Sequence, residues 1–92
     1  MNTHAERDVR PLVDAFNAEV AKELKEPPTC DQHAIAIIVP ATGWTEAEAK
    51  RAAVEVTIPE GFQLEREPDG TPEVWGQDLF AGTYWVLYVK RS

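Results

Sequence analysis

The single cysteine of the chain stands next to a carboxylate and close to a histidine. Cys30, Asp31 and His33 supply a thiol, a carboxylate and an imidazole, which are the groups that generate a reactive thiolate. Adjacency is weak support for such a site, because Cys–His sites are assembled by the fold from distant segments. A small ligand-binding or enzymatic domain that uses Cys30 and His33 is therefore an alternative function only.

The rest of the chain lacks the usual catalytic and cofactor-binding patterns. The only serine is Ser92, which excludes a serine nucleophile, and His4 is too far from His33 in sequence to suggest a metal-ligand pair. The loop at Trp44 leads into a helix whose first turn carries glutamates, and their carboxylates repel phosphate. In the alternative ligand-binding or enzymatic domain, the Trp44 loop is the other candidate, beside Cys30 and His33, for lining the site. We expect no metal and no cofactor, and we favour a protein without catalytic activity.

Negative charge is the strongest signal in the composition. The 92 residues carry 16 acidic and 9 basic side chains, a formal net charge of −7. Residues 46–78 hold nine acids and three bases, so −6 of the total falls in this segment. Such a balance repels a phosphate backbone, and the sequence shows no compensating basic patch. Direct nucleic-acid binding is therefore not expected.

Length and composition indicate one folded domain over 1–92, with frayed ends at 1–8 and 90–92. Hydrophobic residues make up 43% of the chain and charged residues 27%, as in ordinary globular domains. No apolar run is long enough to cross a membrane, and the N-terminus lacks the apolar core of a signal peptide. We therefore expect a cytoplasmic protein without membrane contact.

Two helices are predicted. Apolar residues recur at helical spacing over 9–26, with Asp8 as the N-cap and Pro11 in the first turn, where its missing N–H is tolerated. A T-x-x-E capping box that starts at Thr45 opens a second helix over 46–55. The alternating apolar residues that follow leave the end of this second helix open.

Four strands are predicted, over 33–39, 62–67, 73–76 and 83–89, with a Pro-Asp-Gly turn between the second and the third. The first and fourth are apolar on both faces and are expected to be central or paired with each other, whereas the second is polar on one face and is expected at an edge. The order α-β-α-β-β-β predicts an α+β fold. We expect a two-layer α/β sandwich with a four-stranded mixed sheet and two helices on one face.

The turn sets the register of the second and third strands. It places Leu64 opposite Val74 on the core side and Glu65 opposite Glu73 on the outer side, where Trp75 also lies. The two tyrosines of the last strand share one face of that strand. The competing interpretation is that the acids only keep the protein soluble and the aromatics fill the core. The residues expected to bind a partner are Glu65, Glu67, Glu73, Trp75, Tyr84 and Tyr88.

Acids mixed with tryptophan and tyrosine on an open sheet face are typical of a protein-binding surface, because aromatics anchor interfaces and acids steer a basic partner. The sequence thus predicts a non-enzymatic inhibitor. It would block a basic surface of a nucleic-acid-binding effector or nuclease by imitating nucleic acid.

In size, charge and simplicity the chain resembles the small anti-defence proteins of phages and mobile elements, anti-CRISPR proteins among them, and the immunity proteins that neutralise nuclease toxins. A toxin-immunity protein is therefore an alternative. A further alternative is an accessory subunit that joins a larger assembly through an edge strand. The expected state is a monomer or a small homo-oligomer.

Overall fold

The computed structural model describes residues 7–25, 34–79 and 82–92. These residues form an α+β fold in the predicted order of elements, with two helices and a four-stranded sheet. The elements are α1 (Arg10–Glu23), β1 (Ile35–Pro40), α2 (Glu46–Val54), β2 (Phe62–Leu64), β3 (Trp75–Leu79) and β4 (Gly82–Arg91). Because β4 extends to Arg91, most of the tail predicted to be frayed over 90–92 belongs to the sheet.

β4 is the central strand, and every pairing in the sheet is antiparallel. One edge of β4 pairs with β1, from Ile35↔Val89 to Pro40↔Tyr84, and the other edge pairs with β2 and β3. The predicted mixed sheet is therefore wrong. The connection through α2 does make β1 and β2 parallel to each other, but β4 lies between them and runs opposite to both.

β1 is an edge strand with one covered face. Ile37 and Val39 are buried, whereas Ile38 between them is 46% exposed. The predicted pairing of β1 with β4 is confirmed, but β1, although apolar on both faces, is buried on only one of them. Both helices contribute to one core with the sheet face that they cover, so the buried side chains of β1 are those that point toward the helices.

α1 packs a narrow apolar stripe onto the sheet. The predicted N-cap, Asp8, is wrong by one residue: Val9 occupies the N-cap, and Asp8 Oδ1 accepts a hydrogen bond from the N–H of Arg10 at 2.9 Å. The helix ends at Glu23, three residues before the predicted end. The buried residues of α1 are Leu12, Val13, Phe16 and Val20.

α2 begins at the predicted capping box. The N–H of Glu48 donates to Thr45 Oγ1 at 3.2 Å, and the N–H of Thr45 donates to Glu48 Oε1 at 2.9 Å. The helix ends at Val54, and the residues from there to β2 form no strand. Small side chains let the helix lie close to the rest of the core. The buried residues of α2 are Ala49, Ala52 and Ala53.

β2 and β3 lie end to end along the same edge of β4. Leu64 pairs with Val89 and Trp75 pairs with Val86, so the ten residues 65–74 stand opposite only two residues of β4. This extra chain forms a hairpin that leaves the sheet and returns to it. We name residues 65–74 the hairpin arm.

The hairpin arm is closed by the predicted Pro-Asp-Gly turn. Gly70 has a φ of 93°, and its N–H donates to the carbonyl of Glu67 at 2.8 Å. The N–H of Glu67 donates to the carbonyl of Thr71 at 2.8 Å, and Arg66 pairs with Pro72. These pairs confirm the predicted register. The predicted strand boundaries are wrong, because the ladder with β4 stops before the arm and resumes after it.

Candidate functional site

The sheet face opposite the helices is open in the described part of the molecule, and we name it the outer face. Ile38 pairs with Val86 and Val86 with Trp75, so these side chains form one row across β1, β4 and β3. Ile38 is 46% and Trp75 is 54% exposed, whereas Val86 between them is 6% exposed. We name these three residues the apolar row.

Tyr84 and Tyr88 flank the apolar row on β4, one on each side of Val86. Both are half-buried. They alternate with Trp85 and Leu87, which are buried in the core beneath the helices. The sequence-predicted tyrosines and Trp75 therefore share one open face, and the alternative in which these three aromatics fill the core does not describe their positions.

Glu65 and Glu73 border the outer face where the hairpin arm leaves the sheet. The N–H of Glu73 donates to the carbonyl of Glu65 at 3.0 Å, so the two residues stand opposite each other as predicted. Lys90 Nζ lies 3.4 Å from Glu65 Oε1, and Trp75 Nε1 donates to Glu73 Oε2 at 2.5 Å. Each carboxylate has its own partner, which relieves the repulsion expected between two facing acids.

Glu67 and Asp69 carry the negative charge of the hairpin arm outward from the sheet edge. Both side chains are exposed. The hydroxyl of Thr71 donates to Asp69 Oδ1 at 2.7 Å and its N–H at 3.0 Å. These two hydrogen bonds, the hydroxyl's first, lower the pKa of the Asp69 carboxyl. Arg66, the one base of the arm, donates to the carbonyl of Gly70 at 2.9 Å.

The acidic segment found in the sequence divides into two unequal parts in the structure. Residues 46–55, which contain α2, hold three acids and two bases, a balance of −1. Residues 60–78 hold six acids and one base, a balance of −5. This second part runs along β2, the hairpin arm and β3. Most of the excess negative charge therefore lies along a single edge of the sheet, next to the outer face.

No relative helps to interpret this face. Comparison with protein-family models, with curated protein sequences and with solved structures gives no match for the chain. No helix among the described residues is long and apolar enough to cross a membrane. Within the same residues, no group of three or more His, Cys, Asp or Glu side chains is placed to hold a metal ion.

The loop at Trp44, the second lining suggested for an alternative site, is occupied by Arg7. The Arg7 guanidinium carbon lies 3.8 Å from the centroid of the Trp44 ring, and Arg7 donates to the Gly43 carbonyl at 2.9 Å and to Glu48 Oε1 at 2.6 Å. The Arg7 hydrogen bond, followed by that from the Thr45 backbone, lowers the pKa of Glu48 to about 2. Arg7 thus ties the start of α1 to the start of α2.

Sequence reasoning missed Arg7 because it placed this residue in a frayed end. The other members of the alternative site, Cys30 and His33, lie outside the described residues, as does His4. The groups that the structure does bring together at an open surface are the aromatic and acidic residues of the outer face.

Proposed function

We propose that this protein is a small acidic inhibitor that binds another protein and covers a basic, nucleic-acid-binding surface on it. The observation that carries the proposal is the exposed Trp75. It lies in one row with the exposed Ile38, and its Nε1 donates a hydrogen bond to the carboxylate of Glu73 in the acidic hairpin arm. An anchor of this kind has no use in the protein's own core.

The apolar row supplies the affinity in this proposal. Burial of a large aromatic side chain at an interface commonly dominates the binding free energy, and Trp is among the residues most enriched at such positions. Trp75 and Ile38 stand on either side of Val86, and Tyr84 and Tyr88 add two further amphipathic rings. Tyrosine and tryptophan suit a surface that is wet in the free protein and buried in the complex.

The acidic edge supplies the selectivity. The balance of −5 over residues 60–78 attracts a cationic surface over several ångströms and raises the rate of encounter with it. The carboxylates of Glu67 and Asp69 project on the hairpin arm, where a basic groove built for phosphates could receive them. We therefore propose the anti-defence role expected from the sequence, exerted in the cytoplasm. A toxin-immunity protein would use the same acidic surface against a nuclease toxin.

The test compares charge-matched variants in affinity capture from the native host at about 0.05 M and 0.5 M NaCl, which span long and short screening lengths. In one variant, Glu67→Lys is combined with Glu73→Lys on the arm. In the control, Asp14→Lys on α1 is combined with Glu55→Lys at the end of α2, which changes the net charge equally but leaves the acidic residues 60–78 intact. We expect the arm variant to lose the partner at low salt and the control to retain it.

A third variant, Trp75→Ser, tests the anchor. Loss of an aromatic hot spot costs about 2 kcal/mol or more, so the dissociation constant of the purified partner is expected to rise by ~30-fold. Identification of the captured protein by mass spectrometry, followed by a competition assay with its nucleic acid, completes the test. Capture that ignores salt, the arm variant and Trp75→Ser alike contradicts the proposal.

A further inference from the structure

β1 has one edge that no described residue pairs with. The direction of its backbone groups follows from Ala41, the residue after β1, whose N–H donates to the carbonyl of Thr83 at 2.9 Å. In an antiparallel ladder, residues that bond to the neighbouring strand alternate with residues that point the other way. Counting back from Ala41 in steps of two, Val39 and Ile37 bond to β4.

The residues between these point their backbone groups at the free edge. Ala36 and Ile38 each present an N–H and a carbonyl there, and Pro40 presents a carbonyl. Tyr88, opposite Ala36, confirms this pattern, because its carbonyl accepts from Glu65 on the far side of β4 at 2.8 Å. Proline is found in strands where the missing N–H would face outward, which is the position of Pro40.

This edge lacks the features that usually prevent another strand from pairing. Residues 34–45 contain no charged side chain, in a chain whose net charge is −7. Natural edge strands are commonly blocked by charges, bulges or a covering segment. The opposite edge of the sheet has such features, since the hairpin arm interrupts it and acids line it. The described part of β1 has only a proline at its end.

A second copy of the chain fits this edge poorly. α1 packs against β1 and α2. Antiparallel pairing of two β1 strands, which lie ~4.8 Å apart, would crowd two α1 helices side by side on one sheet face, whereas packed helices need axes 8–10 Å apart. An extended segment that carries no helix layer of its own avoids this collision.

We propose that the free edge of β1 accepts an extended segment of a partner protein as a fifth strand, antiparallel or parallel to β1. The exposed Ile38 at the end of the apolar row favours an apolar side chain at the centre of that segment, on the outer face. The net charge of −7 favours basic residues at its ends. This strand site uses the backbone of β1, so it stands or falls independently of the outer-face proposal.

The test uses a seven-residue peptide with blocked ends, alternating valine and threonine between two terminal lysines, titrated into the full chain. In the free protein, the amides of Ala36 and Ile38 are expected to exchange with solvent quickly and those of Ile37 and Val39 slowly. Saturation with peptide slows exchange at Ala36 and Ile38 by ~10-fold or more if a strand is added, because only then do these amides gain acceptors.

Two controls separate strand pairing from general adhesion. Peptides N-methylated on one or the other alternate set of amides present the same side chains, but only one set points toward β1, so one peptide loses binding and the other keeps it. Ala36→Pro removes an outward N–H without breaking the ladder with β4 and weakens binding by ~2–10-fold, whereas Ala36→Val retains it. Amide exchange at Ile37 and Val39 verifies that each variant is folded.

Four results overturn the inference. Slow exchange at Ala36 and Ile38 in the free monomer means that the edge is already covered. The same protection together with a dimer in sedimentation assigns the edge to a second copy. Equal binding of both N-methylated peptides, or binding that leaves these two amides unprotected, places the peptide elsewhere on the molecule.

Discussion

Protonation of Glu48 at low pH is expected to lower the stability of the fold. Its pKa of about 2 lies below the ordinary value of 4.5, with Arg7 and the Thr45 amide as the main causes. As pH falls, the unfolded chain takes up this proton first, so the stabilisation is complete above pH 4.5 and is lost progressively toward about pH 2. Above pH 4.5, Glu48→Gln is therefore expected to be less stable than the natural protein.

The measurement is chemical unfolding of both proteins across this pH range. The difference in unfolding free energy is expected to be constant above pH 4.5 and to shrink between pH 4.5 and about 2. Glutamine keeps the length of the side chain and its place in the capping box, so the loss reports the charge. A difference that stays unchanged over the same interval would mean that Arg7 does not hold the carboxylate in solution.

Glycine is required at position 76 because the Trp85 side chain leaves no room for a Cβ, and not because the backbone conformation demands it. A Cβ at this position would lie 2.5 Å from Cζ3 of Trp85, whose side chain is 7% exposed and has little room to move. Gly76→Ala is expected to destabilise the protein by about 1–3 kcal/mol, the usual cost of overpacking. In a Trp85→Leu background the same substitution is expected to cost less, which a double-mutant cycle of thermal unfolding measures. Equal costs in both backgrounds would contradict the predicted overlap.

At the scale of elements, the hairpin arm behaves as an insertion of even length into one continuous strand. Leu64 pairs with Val89 and Trp75 with Val86, and Glu65 still donates to the carbonyl of Tyr88. Deleting the eight residues 66–73 leaves just the two residues needed to join β2 to β3 in register. We expect this deletion to leave a folded protein that unfolds cooperatively.

A deletion of seven residues, 66–72, is the matched control for that prediction. Removal of an odd number shifts the register by one residue and turns every following side chain of the strand to the other face. Val74, now 7% exposed, would leave the core, which alone costs about 1.5–3 kcal/mol. Calorimetry is expected to show a much lower midpoint for the seven-residue deletion. Similar midpoints for the two deletions would disprove the insertion.

Apart from the pairing of β1 with β4, the features that the sequence predicted correctly depend on neighbouring residues. The capping box at Thr45, the register of the hairpin arm and the shared face of Tyr84 and Tyr88 follow from spacings of a few residues. The pairing of β4 with β2, and the contact between Arg7 and Trp44, join distant parts of the chain. Periodicity carries no information about such partners, so the sheet was predicted as mixed and Arg7 as frayed.

At the scale of the whole molecule, the charge is arranged so that the two edges of the sheet differ. The edge formed by β2, the hairpin arm and β3 carries most of the net charge, while the β1 edge carries none within residues 34–45. Acidic residues crowded on one edge repel one another and strain the native state more than the extended chain. The charge that suits a basic partner is therefore expected to lower the stability of the free protein.

The dependence of stability on salt concentration tests this expectation, because salt screens repulsion between exposed charges. At pH 7, about 0.5 M NaCl is expected to raise the thermal midpoint, with each ~1 kcal/mol of relief shifting it by roughly 4–8 °C in a domain of this size. The rise is expected to be smaller in the variant that lacks 66–73, whose formal charge falls from −7 to −5, and smaller also near the pI of about 4.7, where the net charge of the chain is zero. A rise of the same size at both pH values would show that salt acts through apolar burial rather than through charge, because burial does not depend on the ionisation of the acidic edge.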